Sequence, residues 1–309
     1  MGPARHPTEA QGRTSPGQPG RVRLEATDAL VLATIACFAL LALISRGHVE
    51  GWPGLVAKDL VAAVIFLAAV VVTGRIRNRW VWFVARTTTV SLAFAWLFGA
   101  VDRLQLIVHG RWLDGLVVDL EACVFGVQPT LWLERFTRPW LTEWMMFAYV
   151  VYIALYPIVC LVIFRGHGPR ALEECLLALG LANVACDFGF ILFPVAGPTA
   201  FMGTAYTVPL DGWLFTAAGE FIRSHLHYVG GSLPSPHAAA ATVMWVMAWR
   251  YNRRLAWVLA LVILTLYVAT FYCRYHYLTD TIVGIATAAA ALAVAPRLTQ
   301  WWQGHSAAR

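Results

Sequence analysis

Long apolar runs separated by short Arg-bearing gaps dominate the chain from residue 29 onward. A helix needs about twenty mostly apolar residues to cross a hydrocarbon core of about 30 Å. Runs of this kind lie at Ala29–Ile44, Leu55–Thr73, Trp80–Gly99, Trp140–Phe164, Leu172–Phe193, Pro236–Trp249, Leu255–Tyr272 and Tyr277–Ala295, the first and sixth being short. They predict an all-α, polytopic transmembrane bundle of about eight spans. Residues 113–136 mix Asp119, Glu121 and Glu134 with aromatics and leucine, and read as an interfacial amphipathic helix rather than a further span.

The gaps fix an expected orientation. With the N-terminus inside, Arg21, Arg23, Arg75, Arg77, Arg79, Arg165, Arg170, Arg250, Arg253, Arg254 and Arg297 all become cytoplasmic, as the positive-inside rule requires. Residues 102–138 and 195–235 then form the outer loops, where chemistry is expected. Residues 1–24 are rich in Pro, Gly, Gln, Ser and Arg without apolar periodicity, and are expected to be a disordered cytoplasmic tail. The remaining organisation expected is N-terminal helices over 25–110, a catalytic membrane domain over 111–298 and a short cytoplasmic tail over 299–309.

Composition agrees with the pattern: 59% of the residues are hydrophobic, against about 45–50% in ordinary soluble domains. The net charge of +6 rests almost wholly on arginine, Lys58 being the only lysine. Because these charges fall at helix ends, no nucleic-acid partner is expected. The six cysteines are scattered, without metal-site spacing, and read as small buried hydrophobes.

Two polar stretches interrupt apolar runs at matching ends of different spans. In Gly230-Gly231-Ser232-Leu233-Pro234-Ser235-Pro236-His237, Ser235 is a good N-cap and Pro236 suits the first helical position. His237 then occupies a first turn whose free amides and positive dipole end suit an anion such as phosphate. In Arg274-Tyr275-His276-Tyr277-Leu278-Thr279-Asp280, His276 and Asp280 are four apart on one helical face. The carboxylate there can fix the tautomer of the ring and stabilise its cation, while Arg274 adds a charge matched to phosphate oxygens. Taken singly, the first stretch is an ordinary cap with a surface histidine and the second a self-satisfied pair. Together on one membrane face they suggest one site.

These residues resemble the second and third signatures of the type 2 phosphatidic acid phosphatase superfamily, and most of all its inositol phosphorylceramide synthase-like branch. Phe193-Pro194-Val195-Ala196-Gly197-Pro198 and Phe125-Gly126-Val127-Gln128-Pro129 with Trp132-Leu133 are similar to the same branch. The resemblance runs from about Asp114 to Ala295 and implies a six-helix phosphatase-like core. The chain departs from the broad superfamily at three points. Leu131 stands where a lysine precedes Arg138-Pro139, Thr270 stands where an arginine usually precedes the histidine, and Pro236 replaces a glycine. Arg223 and Arg138 are the candidates to complete the phosphate shell.

What the resemblance implies is a metal-free, cofactor-free, two-step phosphoryl transfer. His276 attacks phosphorus, Asp280 orients it, and His237 protonates the leaving oxygen and then deprotonates the acceptor. Arg274, Ser235 and the first-turn amides stabilise the phosphoryl oxygens. The substrate is expected to be a lipid phosphate or phospholipid at the outer face, with the acceptor either a lipid alcohol, which makes a transferase, or water, which makes a phosphohydrolase. A non-enzymatic transporter or scaffold is the third reading, disfavoured because no internal repeats with matched broken helices are evident. The absence of an organellar signal and the abundance of arginine fit a bacterial plasma membrane.

Other polar residues allow further readings. A metal site built from His225 and His227 with His237 or His276 lacks a completing set of carboxylates or thiolates. Asn183 and Asp187, four apart within a span, either hold a head-group hydroxyl or make an interhelical hydrogen bond. Asp102 and Arg103 read as an interfacial pair, and Arg86, inside the third span, is expected to find an internal partner.

Overall fold

A computed structural model describes residues 24–226 and 228–307. The expected N-terminal tail, Leu24 apart, and His227 lie outside the described residues. Among the described residues every regular element is helical, and the molecule is a polytopic transmembrane bundle. All eight apolar runs appear as helix: α1 (Ala26–Ile44), α2 (Trp52–Gly74), α3 (Arg79–Ala100), both limbs of α6 (Pro139–Leu192), α9 (Pro236–Tyr251), α10 (Arg253–Tyr272) and α11 (Leu278–Ala307). Between them lie α4 (Asp114–Phe125), α5 (Pro129–Leu133), α7 (Pro198–Met202) and α8 (Leu214–Leu226).

Six of these helices are long and apolar enough to cross a membrane, and α6, with 54 residues, is far longer than one crossing needs. A straight helix of that length would span about 80 Å. It is instead interrupted at Gly168, where φ is 79° and Pro169 follows. Both of its ends reach the same end of the bundle: Thr142 bonds Tyr272 at 3.0 Å, while Gly189 packs on Pro234. The break lies at the opposite, Arg-rich end, where His167 bonds the Tyr251 carbonyl and Arg170 bonds Gln303. Residues 139–167 and 169–192 are therefore two antiparallel spans.

Local chemistry sets the helix starts. Asn78 caps α3 by accepting from Trp80 and Val81, and Asn252 caps α10 by accepting from Leu255. Prolines occupy first-turn positions in α2, α5, α6, α7 and α9. Arg86 finds the expected internal partners: one guanidinium nitrogen lies 2.5 Å from Asp28 of α1, and two others meet Glu173 of α6 at 2.7 and 2.8 Å. This ion triad ties three helices together inside the bundle.

The segment over 113–136 differs from a single interfacial helix. It forms α4 and α5 with a terminal 3₁₀ turn, bent by 65°. Leu116, Leu120 and Val124 of α4 face outward, whereas Asp114 and Glu121 are fully buried. These two carboxylates turn into the protein, where hydrogen-bond donors meet them, while Asp119 stays exposed. A second amphipathic helix, α8, lies in the long connection before α9 and packs on α6. At the C-terminus, α11 continues as helix through residues 299–307, the region expected to be a tail.

Candidate active site

Two helix starts build the centre. Ser235 caps α9 with its Oγ accepting from the Ala238 amide at 3.3 Å, and Pro236 at the next position places His237 in the first turn. The Ser235 amide donates to the Asp280 carbonyl at 2.9 Å, which joins α9 to α11 at their starts. Gly284 of α11 permits this approach: a Cβ there would lie 2.5 Å from the Ser235 carbonyl oxygen.

The chain leaves α10 through Arg274, whose φ of 63° is left-handed. That reversal lets the amides of Tyr275 and His276 both donate to the Thr270 carbonyl, at 3.1 and 3.0 Å. Thr270 also bonds Thr281 through its hydroxyl at 2.7 Å. Glu121, reaching over from α4, accepts from the Thr279 amide at 2.7 Å, and Gln128 bonds its other oxygen at 2.6 Å. A carboxylate at a helix N-terminus is stabilising, so α4 fixes the start of α11 and with it Asp280.

At the centre, His276 Nε2 lies 3.3 Å from His237 Nδ1. The other nitrogen of His276 is 3.0 Å from the main-chain oxygen of Ser232 and 3.6 Å from Asp280 Oδ2. Direct acceptance by the aspartate was the expectation from their spacing; in the structure Ser232 stands between them. Its hydroxyl donates to Asp280 Oδ2 at 2.5 Å, and the Tyr277 amide donates to the same oxygen at 2.9 Å. Tyr149 stacks on His237 with ring centroids 4.5 Å apart and on Tyr275 at 4.3 Å, so aromatic rings cover the pair. His276 is 2% exposed.

A family model described as the PAP2 superfamily matches residues 117–294, more than half of the chain. The chain belongs to the PAP2 superfamily. No curated protein and no solved structure matches it. Membership in the PAP2 superfamily supports a phosphatase-type enzyme acting on a lipid phosphate, and the facing pair of His237 and His276 lies within the matched residues.

The arginines sit farther out. Arg274 donates to the Val208 carbonyl at 2.6 Å, and its guanidinium lies 4.1 Å from the Tyr206 ring centroid. Arg223 of α8 is paired with Glu220, its Nε 2.8 Å from Oε2. Both arginines line two cavities, of about 460 and 290 Å³, that flank Tyr275. Arg138 is exposed at the start of α6 and bonds the Thr137 carbonyl. Thus His237, His276, Asp280 and Ser235 meet in one place, Arg274 and Arg223 meet beside it, and Arg138 meets neither group.

Two residues that brace the surroundings of the histidines escaped the sequence reading. Asp114 accepts from the Ala196 and Gly197 amides at 2.8 and 2.9 Å and from the Tyr277 hydroxyl at 3.0 Å, tying the loop after α6 to the start of α11. Glu121 is the other. Their signal was their separation of seven residues, two turns on one helical face, which Asp119 does not share.

Asn183 bonds the Leu179 carbonyl of its own helix, and Asp187 is 2% exposed with Oδ2 unpartnered among the described residues. His225 bonds the Phe221 carbonyl. Among the described residues no three His, Cys, Asp or Glu side chains converge as metal ligands.

Proposed function

We propose that this protein is a membrane-embedded, metal-independent lipid phosphatase or phosphotransferase that carries the transferred group on His276. The observation that carries the reading is the facing of His276 Nε2 and His237 Nδ1 at 3.3 Å, with His276 Nδ1 tied to Ser232 on the far side of the ring. A proton held on Nδ1 leaves the Nε2 lone pair directed at the other histidine, where a reacting phosphorus must enter.

In the first step Nε2 forms a bond to phosphorus, the bond from phosphorus to the leaving lipid oxygen breaks, and His237 gives that oxygen its proton. In the second step His237 takes the proton of the acceptor hydroxyl, the acceptor oxygen bonds phosphorus, and the N–P bond breaks. Asp280, through Ser232, stabilises the cationic ring. The positive end of the α9 dipole faces the phosphoryl oxygens, and Arg274 and Arg223 supply positive charge at the approach from the cavities.

The enclosure of His276 supports a site that excludes water and favours an alcohol acceptor. With the branch-specific resemblance, this supports transfer of an inositol-phosphate-type head group between lipids, in the manner of the inositol phosphorylceramide synthase-like branch. The distribution of arginines supports an active site on the outer face of the membrane. The test is product analysis from a panel of lipid phosphates and phospholipids, with and without a lipid alcohol, in the presence of chelator. Head-group transfer that persists with chelator supports the proposal; release of inorganic phosphate alone makes the protein a hydrolase, and no turnover on a broad panel removes the catalytic assignment.

A further inference from the structure

The loop that carries Ser232 is braced from outside the matched residues. Gln105, which follows α3 and is 1% exposed, accepts from the Gly231 amide through Oε1 at 2.7 Å and donates from Nε2 to the Val229 carbonyl at 3.2 Å. It thereby binds the main chain on both sides of Gly230. The contact is tight: a Cβ on Gly230, whose φ is 107°, would lie 2.1 Å from Gln105 Oε1. One residue further along, the Ser232 carbonyl meets His276 Nδ1. Gln105 lines neither cavity beside Tyr275.

We propose that Gln105 is a positioning residue for His276. By clamping Val229 and Gly231 it aims the Ser232 carbonyl at Nδ1, and that carbonyl, rather than the carboxylate of Asp280, holds the Nδ1 proton. Asp280 braces the same loop from the other side through the Ser232 hydroxyl and supplies the charge that stabilises the ring as a cation. A peptide carbonyl can only accept a hydrogen bond and is not protonated at ordinary pH, so it specifies the tautomer without competing for the proton. The helices before residue 117 therefore contribute to the geometry of the site as well as to anchoring. This inference rests on the reading of His276 as the nucleophile, but its test does not depend on turnover.

The experiment is nitrogen NMR of the full-length protein labelled in its histidine rings and held in nanodiscs. The His276 signal is identified by its loss in His276→Ala. Wild type is expected to show protonated Nδ1 and bare Nε2. Asp280→Asn is expected to keep that tautomer while losing activity, and Gln105→Met, which preserves volume but removes both bonds, is expected to mix the tautomers. Kinetically, Gln105→Met should lower kcat by about 10- to 100-fold with KM within about threefold of wild type, since general acid–base and nucleophile alignment is what fails. A tautomer that switches in Asp280→Asn and stays intact in Gln105→Met would overturn the proposal. Should Gln105→Met not fold, the Asp280→Asn spectrum decides by itself: retention of the tautomer supports the carbonyl, a switch refutes it. Activity that survives His276→Ala would instead remove the nucleophile reading and leave the tautomer result standing.

Discussion

His237 Nδ1 and His276 Nε2 face each other at 3.3 Å, close enough to share one proton and too close to hold a phosphoryl group between them. Substrate binding must part the rings. A phosphate anion bound at the start of α9 would favour positive charge on His237. Binding of a non-hydrolysable lipid phosphonate near neutral pH is therefore expected to draw in about one proton. Calorimetry in buffers of different ionisation heat measures this uptake. It should vanish in His237→Gln, and an uptake that is unchanged there would place the proton elsewhere.

Arg223 is available to substrate only by leaving Glu220. The pair lies at the surface, with side chains 40% and 56% exposed, where such pairs contribute about 0–1 kcal/mol. Arg223 holds Glu220 below the usual carboxylate range, so the pair persists at neutral pH and loosens as pH falls through that lowered value. Glu220→Gln should release the guanidinium and lower KM for an anionic lipid by about 2- to 5-fold, kcat changing little. Arg223→Ala should raise KM. Equal KM values in all three proteins would show that Arg223 does not meet the substrate.

Stability depends on the triad of Arg86, Asp28 and Glu173. Arg86→Met strands two carboxylates inside the bundle, for which loss of about 3–5 kcal/mol is expected. Thermal unfolding in detergent should register it as a lowered Tm, while the activity of the molecules that remain folded stays near wild type. A Tm equal to wild type would mean that the triad is dispensable.

Gly284 tests how closely α9 and α11 must approach. In Gly284→Ala the new methyl meets the Ser235 carbonyl, a main-chain atom that cannot move alone. The start of α11 and Asp280 must shift, so activity should fall more than about tenfold while helix content by circular dichroism is retained. Wild-type turnover in this variant would contradict the packing described here.

The sequence made the bundle legible because twenty-residue apolar runs have few other uses, and the gap bearing Arg165 and Arg170 marked where α6 turns back. The convergence of the stretches around His237 and His276 was also legible, since caps and i,i+4 spacing are local. What was not legible depended on contacts over long separations. Asp114 and Glu121 turn inward to hydrogen-bond donors distant in sequence, while Asp119 stays exposed. Gln105 is 126 residues from Gly231, the amide it holds. The direction of the Arg274 side chain was decided by the Val208 carbonyl and the Tyr206 ring, neither of which its own motif contains.

The most direct measurement is rapid quenching of the purified protein during turnover of a lipid substrate carrying radiolabelled phosphate, with chelator present throughout. Label bound to the wild-type chain that is stable to alkali, lost in mild acid and absent from His276→Ala is the result expected of a phosphohistidine at that position. Turnover without any such label, or label that persists in His276→Ala, would contradict it.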